Sequence, residues 1–208
     1  MRRDTAETRT RLLVSAERLF ATRGIFRTTI REITEAAGQR NTSAVSYHFG
    51  SRGGLLEELL AQRGGPLDEQ RGERLAAVGV DPSTRELIGV LLTPLIGCLG
   101  SQEGRDYLRI VAQLTGQFAQ WRDEGPQTGP NLRLVLAELE HRPSGCPPEA
   151  CGERLIALMM LLTAVMAERA RQVDSGRPLP IDPVAFEENL LDMLVGIIEA
   201  PVAVAAGL

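Results

Sequence analysis

Between Thr28 and Leu60 the chain reads TTIREITEAAGQRNTSAVSYHFGSRGGLLEELL, and its polar groups crowd into the middle of that stretch. Arg40, Asn41, Thr42, Ser43, Ser46, Tyr47, His48 and Arg52 follow one another closely, with Thr29 and Arg31 just upstream. Hydroxyl, amide, imidazole and guanidinium groups hydrogen-bond phosphate oxygens and base edges, and arginine adds the charge that phosphate attracts. Gly38 divides the stretch into two short helical segments, and a third starts at Ser51. The chemistry therefore falls on and just past the second segment, as in a DNA-binding helix-turn-helix.

Those groups need a frame, and the flanking pattern supplies one. Leu12, Leu13, Ala16, Leu19 and Phe20 share one helical face, which predicts a first helix over residues 5–22. Asp4 with Glu7 reads as its capping box and Gly24 as its end. Thr29 with Glu32 forms a second capping box, ahead of Ile30, Ile33 and Ala37, and Gly38 terminates that helix. Asn41 or Thr42 caps a short helix ending at Phe49. There Val45 and Phe49 point inward and leave Ser43, Ser46 and Tyr47 outward or flanking. Ser51 opens a fourth helix bearing Leu55, Leu56, Leu59 and Leu60, and Gly64-Gly65-Pro66 predicts a kink or break in it.

Beyond Pro66, helical segments are expected over residues 83–99 (with Pro94 as a kink), 102–122, 130–141, 149–174 and 182–200. Alternating strand patterns are absent over any useful length. The fold class is all-α, with an N-terminal three-helix helix-turn-helix domain followed by a larger helical domain. The expected division is residues 1–54, with a connecting helix starting in 51–65, and residues 66–208.

Charge supports the division. The chain carries a formal −4, but residues 1–54 hold +5 and the remainder −9. A basic module on an acidic body is the footprint of a nucleic-acid-binding head. The longest uninterrupted apolar run, Leu155–Ala167 apart from its Thr163, is 13 residues, short of the roughly 18 a membrane span needs. The charged start, MRRDTAETRTR, has no signal-peptide core, so a cytoplasmic protein is expected. Cys98, Cys146 and Cys151 form no CxxC pair, and His48 and His141 are remote in sequence. Free thiols and no metal are expected. No catalytic arrangement or phosphate loop is visible, so neither enzyme nor cofactor is expected.

The run LFATRG, then TTIREITEAAG, then the YHF tripeptide, then RGGLLEEL resembles the tetracycline-repressor (TetR) family of bacterial transcription regulators, over about Arg11 to Leu60. Two departures stand out. One extra residue lies in Gln39-Arg40-Asn41, and Ser46 stands where the family often has tyrosine. The resemblance implies that the third helix enters the major groove while the second crosses the backbone. It assigns Tyr47 and Arg52 to phosphate, with Thr29 and Arg31 as further phosphate candidates. Asn41, Thr42 and Ser43 are then base-reading candidates with Arg40 beside them. Thr29 and Asn41 equally suit helix caps, and His48 equally suits a structural hydrogen bond.

For the body, the resemblance implies a homodimer and a small-molecule effector, with double-stranded DNA as the other partner. Leu92, Leu95, Ile96, Leu108, Val111, Leu114, Phe118 and Trp121 lie on the segments expected to enclose a pocket. Their aliphatic character favours an apolar or amphipathic ligand. Leu155, Leu158, Met159, Leu162 and Met166 form one broad apolar face, and Leu190, Leu191, Leu194, Ile197 and Ile198 another. Both are assigned to the dimer interface. The expected function is a homodimeric repressor released from a palindromic operator by its ligand. The alternatives are a helical protein-interaction module without sequence-specific DNA binding and, more remotely, a small-molecule enzyme.

Overall fold

Leu12, Ala16 and Phe20 line one side of helix α1 (Arg2–Arg23) and are fully buried. In this computed structural model the chain is described over residues 2–118, 128–142 and 146–202, with side chains from residue 5 onward. Around that stripe close α2 (Ile30–Ala36), α3 (Ser43–Phe49) and the first turns of α4 (Arg52–Val78). Their buried contributions are Ile33, Val45, Leu55 and Leu59. Short helices of this kind are unstable alone, so burial of one apolar face holds them.

The body consists of α5 (Thr84–Cys98), α6 (Gln102–Leu114), a 3₁₀ turn (Thr115–Gln117), α7 (Pro130–Glu140), α8 (Pro148–Asp174) and α9 (Pro183–Ile198). A second buried cluster gathers Leu87, Leu91, Leu136, Leu155, Leu162 and Leu194 from these helices. No strand occurs among the described residues. Helix α6 packs against both α1 and α8, and its Ile110 belongs to the head's cluster.

Polar contacts fasten the same junction. Gln113 of α6 donates to the Phe20 carbonyl (3.0 Å) and accepts from the Ile25 amide (2.7 Å). Arg63 grips Glu17 with two bonds of 2.7 Å. Asp106 accepts from Arg18 (3.0 Å) and Arg109 (2.9 Å), and Arg109 continues to Asp174. Burial pushes the Asp174 carboxyl up. Hydrogen bonds from Arg109, Arg105 and Gln102 outweigh that and leave it below its ordinary range.

Several local expectations change. Helix α1 begins at Arg2, upstream of the expected cap at Asp4. Helix α4 runs through Gly64-Gly65-Pro66 without ending. An interior proline costs about 3 kcal/mol, but Leu59 and Leu60 are buried on one side of it and Leu67 on the other. Each buried leucine returns about 1.5–3 kcal/mol, so packing outweighs the local break signal. The segment expected over 102–122 ends its α-helix at Leu114, and residues 119–122 lie outside the described residues. Helix α8 carries an 18-residue window of mean hydropathy 1.7, so by length and composition it matches a membrane span despite its short uninterrupted run. It packs against α6, α7 and α9. Cys98, Cys146 and Cys151 are free thiols.

Candidate nucleic-acid interface and internal cavity

The turn between α2 and α3 depends on Gly38, whose φ of 70° lies in the left-handed region that favours glycine. Past it, the Asn41 side-chain oxygen accepts from the Ser43 amide (2.9 Å) and so serves one of α3's free donors. Thr42 stands at the cap position but makes no capping bond. Val45 is fully buried and pins α3 to the head, with half-buried Phe49 packed behind it. That anchor turns Thr42, Ser43, Ser46 and Tyr47 to solvent. Tyr47 is 79% exposed, its ring edge-on to half-buried His48 at 5.0 Å between centroids.

Arginines around this face differ in how free they are. Arg40 is exposed in the turn, and no ion pair holds it among the described residues. Arg31 is exposed and donates to Glu35 (2.7 Å), which pushes its guanidinium further up. Arg27, which no motif singled out, is exposed beside the exposed ring of Phe26, just ahead of α2. Arg9 pairs with Glu58 (2.7 Å) and lies over the Phe49 ring, so it braces the head. The side chains of Arg2 and Arg3 lie outside the described residues.

Two of the expected phosphate contacts are engaged within the chain. The Thr29 amide and hydroxyl both donate to Glu32 (2.8 Å each), which completes the capping box. Hydrogen bonding from the Thr29 backbone first, and then its side chain, holds the Glu32 carboxyl below its ordinary range. A carboxylate already occupies the N-terminus of α2. Arg52 turns inward, its Nε donating to the Thr28 carbonyl (3.0 Å) and its Nη2 to the Ile25 carbonyl. Its guanidinium also lies 5.3 Å over the Phe20 ring. This geometry makes Arg52 a clasp on the connection between α1 and α2.

In the body, a cavity of about 420 Å³ lies among α4, α5, α6, α7 and α8. Of the residues expected around a pocket, Leu95, Val111 and Leu114 line it. Leu92, Leu108 and Phe118 are instead buried in the packed core, and Ile96 packs half-buried against it. Trp121 lies outside the described residues. Asp68, Arg71, Tyr107, Asn131 and Thr163 also line the cavity, and none of these was expected. A sequence signal existed for Arg71, because Leu67, Arg71, Leu75 and Val78 share one helical face.

The residues assigned to a dimer face also separate. Leu155, Leu158, Met159, Leu162, Met166, Leu190, Leu194 and Ile198 are buried inside this chain, so they cannot form an outward surface. Leu191 and Ile197 are half-buried against the same core. The apolar groups that α8 and α9 turn to solvent include Ala157, Met160, Ala164, Val184, Ala185 and Met193. An apolar helix buried on one side and apolar on the other makes the two faces alike in sequence. Among the described residues no cluster of histidine, cysteine and carboxylate groups could hold a metal ion.

Residues 12–59 match the family profile of bacterial regulatory proteins, tetR family. Among solved structures, native NalD from Pseudomonas aeruginosa, the secondary repressor of the MexAB-OprM multidrug efflux pump, is 25% identical with a TM-score of 0.61. The alignment covers 91% of this chain and 96% of NalD. A second NalD structure from P. aeruginosa gives 22% identity and a TM-score of 0.54, over 92% and 95% of the two chains. A Rhodococcus protein described as a TetR-family transcriptional regulator shares the fold at 17% identity and a TM-score of 0.52, over 93% and 100%. No curated protein matches the sequence. The tetR-family match over residues 12–59 and the likeness of the whole chain to NalD converge on a DNA-binding transcriptional regulator whose head is similar to that family.

Proposed function

We propose that the protein is a homodimeric repressor, acting in the cytoplasm, that leaves its operator when a small molecule fills the cavity of the body. The observation that carries the reading is α3, a helix pinned by Val45 that turns Thr42, Ser43, Ser46 and Tyr47 outward on a +5 head. Asn41, Thr42, Ser43 and Arg40 read base edges in this scheme, and Tyr47 and Arg31 contact phosphate. Arg52 contributes by holding the α1–α2 connection, and Thr29 by capping α2. The sign of regulation is carried across from NalD, which is a repressor.

Helix α6 supports the coupling. Tyr107, Val111 and Leu114 line the cavity, while Asp106, Ile110 and Gln113 on the adjoining face hold the head. A ligand that displaces α6 therefore acts on α1 directly. It shifts the population toward a form whose two heads no longer fit successive major grooves. Pairing of two copies runs through the outward residues of α8 and α9, around Met160 and Met193.

Selection from random duplexes tests the reading. The expected product is a palindrome with half-sites about 34–36 Å apart, bound more weakly as salt rises. Purified protein that enriches no sequence would sink it.

A further inference from the structure

Arg71 lies on α4 against the cavity and is only 6% exposed, yet its Nε has no hydrogen-bond partner. Among the described residues its ion-pair partner is Asp68, at 3.9 Å, beyond hydrogen-bond reach. Asp68 is itself committed elsewhere. Its Oδ1 accepts from the Leu132 amide (2.8 Å), and its Oδ2 from the Asn131 amide (3.1 Å) and the Asn131 side chain (3.2 Å). Those bonds cap the N-terminus of α7, so the carboxylate's charge serves the helix end. A planar guanidinium offers five donors in a fork matched to a carboxylate, and here that fork is left largely unanswered in an apolar wall.

Most other polar groups around the cavity are satisfied. Thr163 donates to the Met159 carbonyl (2.8 Å) and pairs with the Thr115 hydroxyl (2.8 Å). The Asn131 side-chain Nδ2 also donates to the Asp68 backbone carbonyl (3.0 Å). Tyr107 is different. Burial pushes its phenol up to about 12 against the opposing pull of Arg71, so it stays protonated and can donate. Glu69 also lines the cavity but is exposed, so water screens its charge. The remaining wall is apolar, with Leu91, Leu95, Val111, Leu114, Met159 and Leu162.

We infer that the cavity takes a carboxylate on an apolar body, with the acid group seated on the Arg71 fork beside the Tyr107 hydroxyl and the apolar part against the leucines of α5, α6 and α8. This rests on the reading of the cavity as the effector site and names the class of its effector. Arg71 reads charge, and the apolar wall reads length and shape. A buried cation without an acceptor is unfavourable, and a bound carboxylate relieves it. A neutral ligand of the same size can accept a hydrogen bond from the fork but brings no charge to offset the cation.

Calorimetric titration of the full-length protein with decanoate, methyl decanoate and decyltrimethylammonium tests the inference without any variant. Decanoate is expected to bind at least about tenfold more tightly than the ester, and the cation not at all. Arg71→Met removes the charge and keeps an apolar side chain of similar reach, so it should abolish the preference while the ester still binds. Arg71→Lys keeps a point charge without the fork and should retain part of the preference. Equal binding of decanoate and the ester, no binding of decanoate, or a preference that survives Arg71→Met each overturns the inference. The function reading fails separately. A decanoate preference in a protein that selects no DNA leaves this inference standing and sinks the repressor. Release from an operator by neutral compounds, with no decanoate preference, does the reverse.

Discussion

Arg52 and Arg71 sit on the same helix, α4, and both turn inward, yet they end in opposite situations. Arg52 faces the head, where the Thr28 and Ile25 carbonyls and the Phe20 ring occupy its guanidinium. Arg71 faces the body's cavity, where its nearest carboxylate is 3.9 Å away and its Nε has no partner. Burial lowers the Arg71 pKa, with Tyr107 and Asp68 only partly opposing that. A satisfied buried cation fastens structure, whereas an unsatisfied one is a demand for something else. The head is thus a finished object with its chemistry outside on α3, and the body holds its open chemistry within.

Substitutions can break or sharpen that contrast. Arg52→Ala should have the largest effect, a loss of about 2–3 kcal/mol in a denaturant titration, because charge-assisted bonds to two partly buried carbonyls disappear. Lysine should rescue little, since it lacks the fork. If Arg52→Ala kept full stability and lost only DNA affinity, Arg52 would be a phosphate contact and the contrast would collapse.

Arg71→Met should go the other way, leaving stability unchanged or raising it by about 1 kcal/mol, because a poorly compensated buried charge is replaced by apolar surface. A destabilisation as large as that of Arg52→Ala would mean that Arg71 is already satisfied. Tyr47→Phe should be smallest. Its ring is exposed, so stability should hold within about 0.5 kcal/mol, while operator affinity drops by about 1 kcal/mol with the lost hydroxyl. An unchanged affinity in a gel-shift titration would move Tyr47 out of the interface.

The head was largely legible in advance because its signals are local. The Thr29–Glu32 box, the ends at Gly24 and Gly38, the Ser51 cap and the inward Val45 depend on neighbours within a turn or two. The same locality hid where Arg52 points, since Ile25 and Thr28 lie in a different segment. The body was harder to read. On α8 and α9 the apolar residues surround the helix, so periodicity could not separate buried Leu158 and Met166 from outward Met160 and Ala164. Likewise Leu92 and Leu108 fill the core while Leu91 and Leu95 reach the cavity, a distinction set by which helices meet.

By itself the sequence determined the all-α class, the helix-turn-helix with its caps, and the basic head on an acidic body. Those follow from short-range geometry, helical period and charge sums, which need no knowledge of the rest of the chain. Only the tertiary structure decided that α4 passes through Pro66, that Arg52 closes on a loop, and that Arg71 opens on a cavity. Each depends on what another helix brings within a few ångströms. Burial and hydrogen-bond satisfaction are properties of that meeting and not of any residue alone.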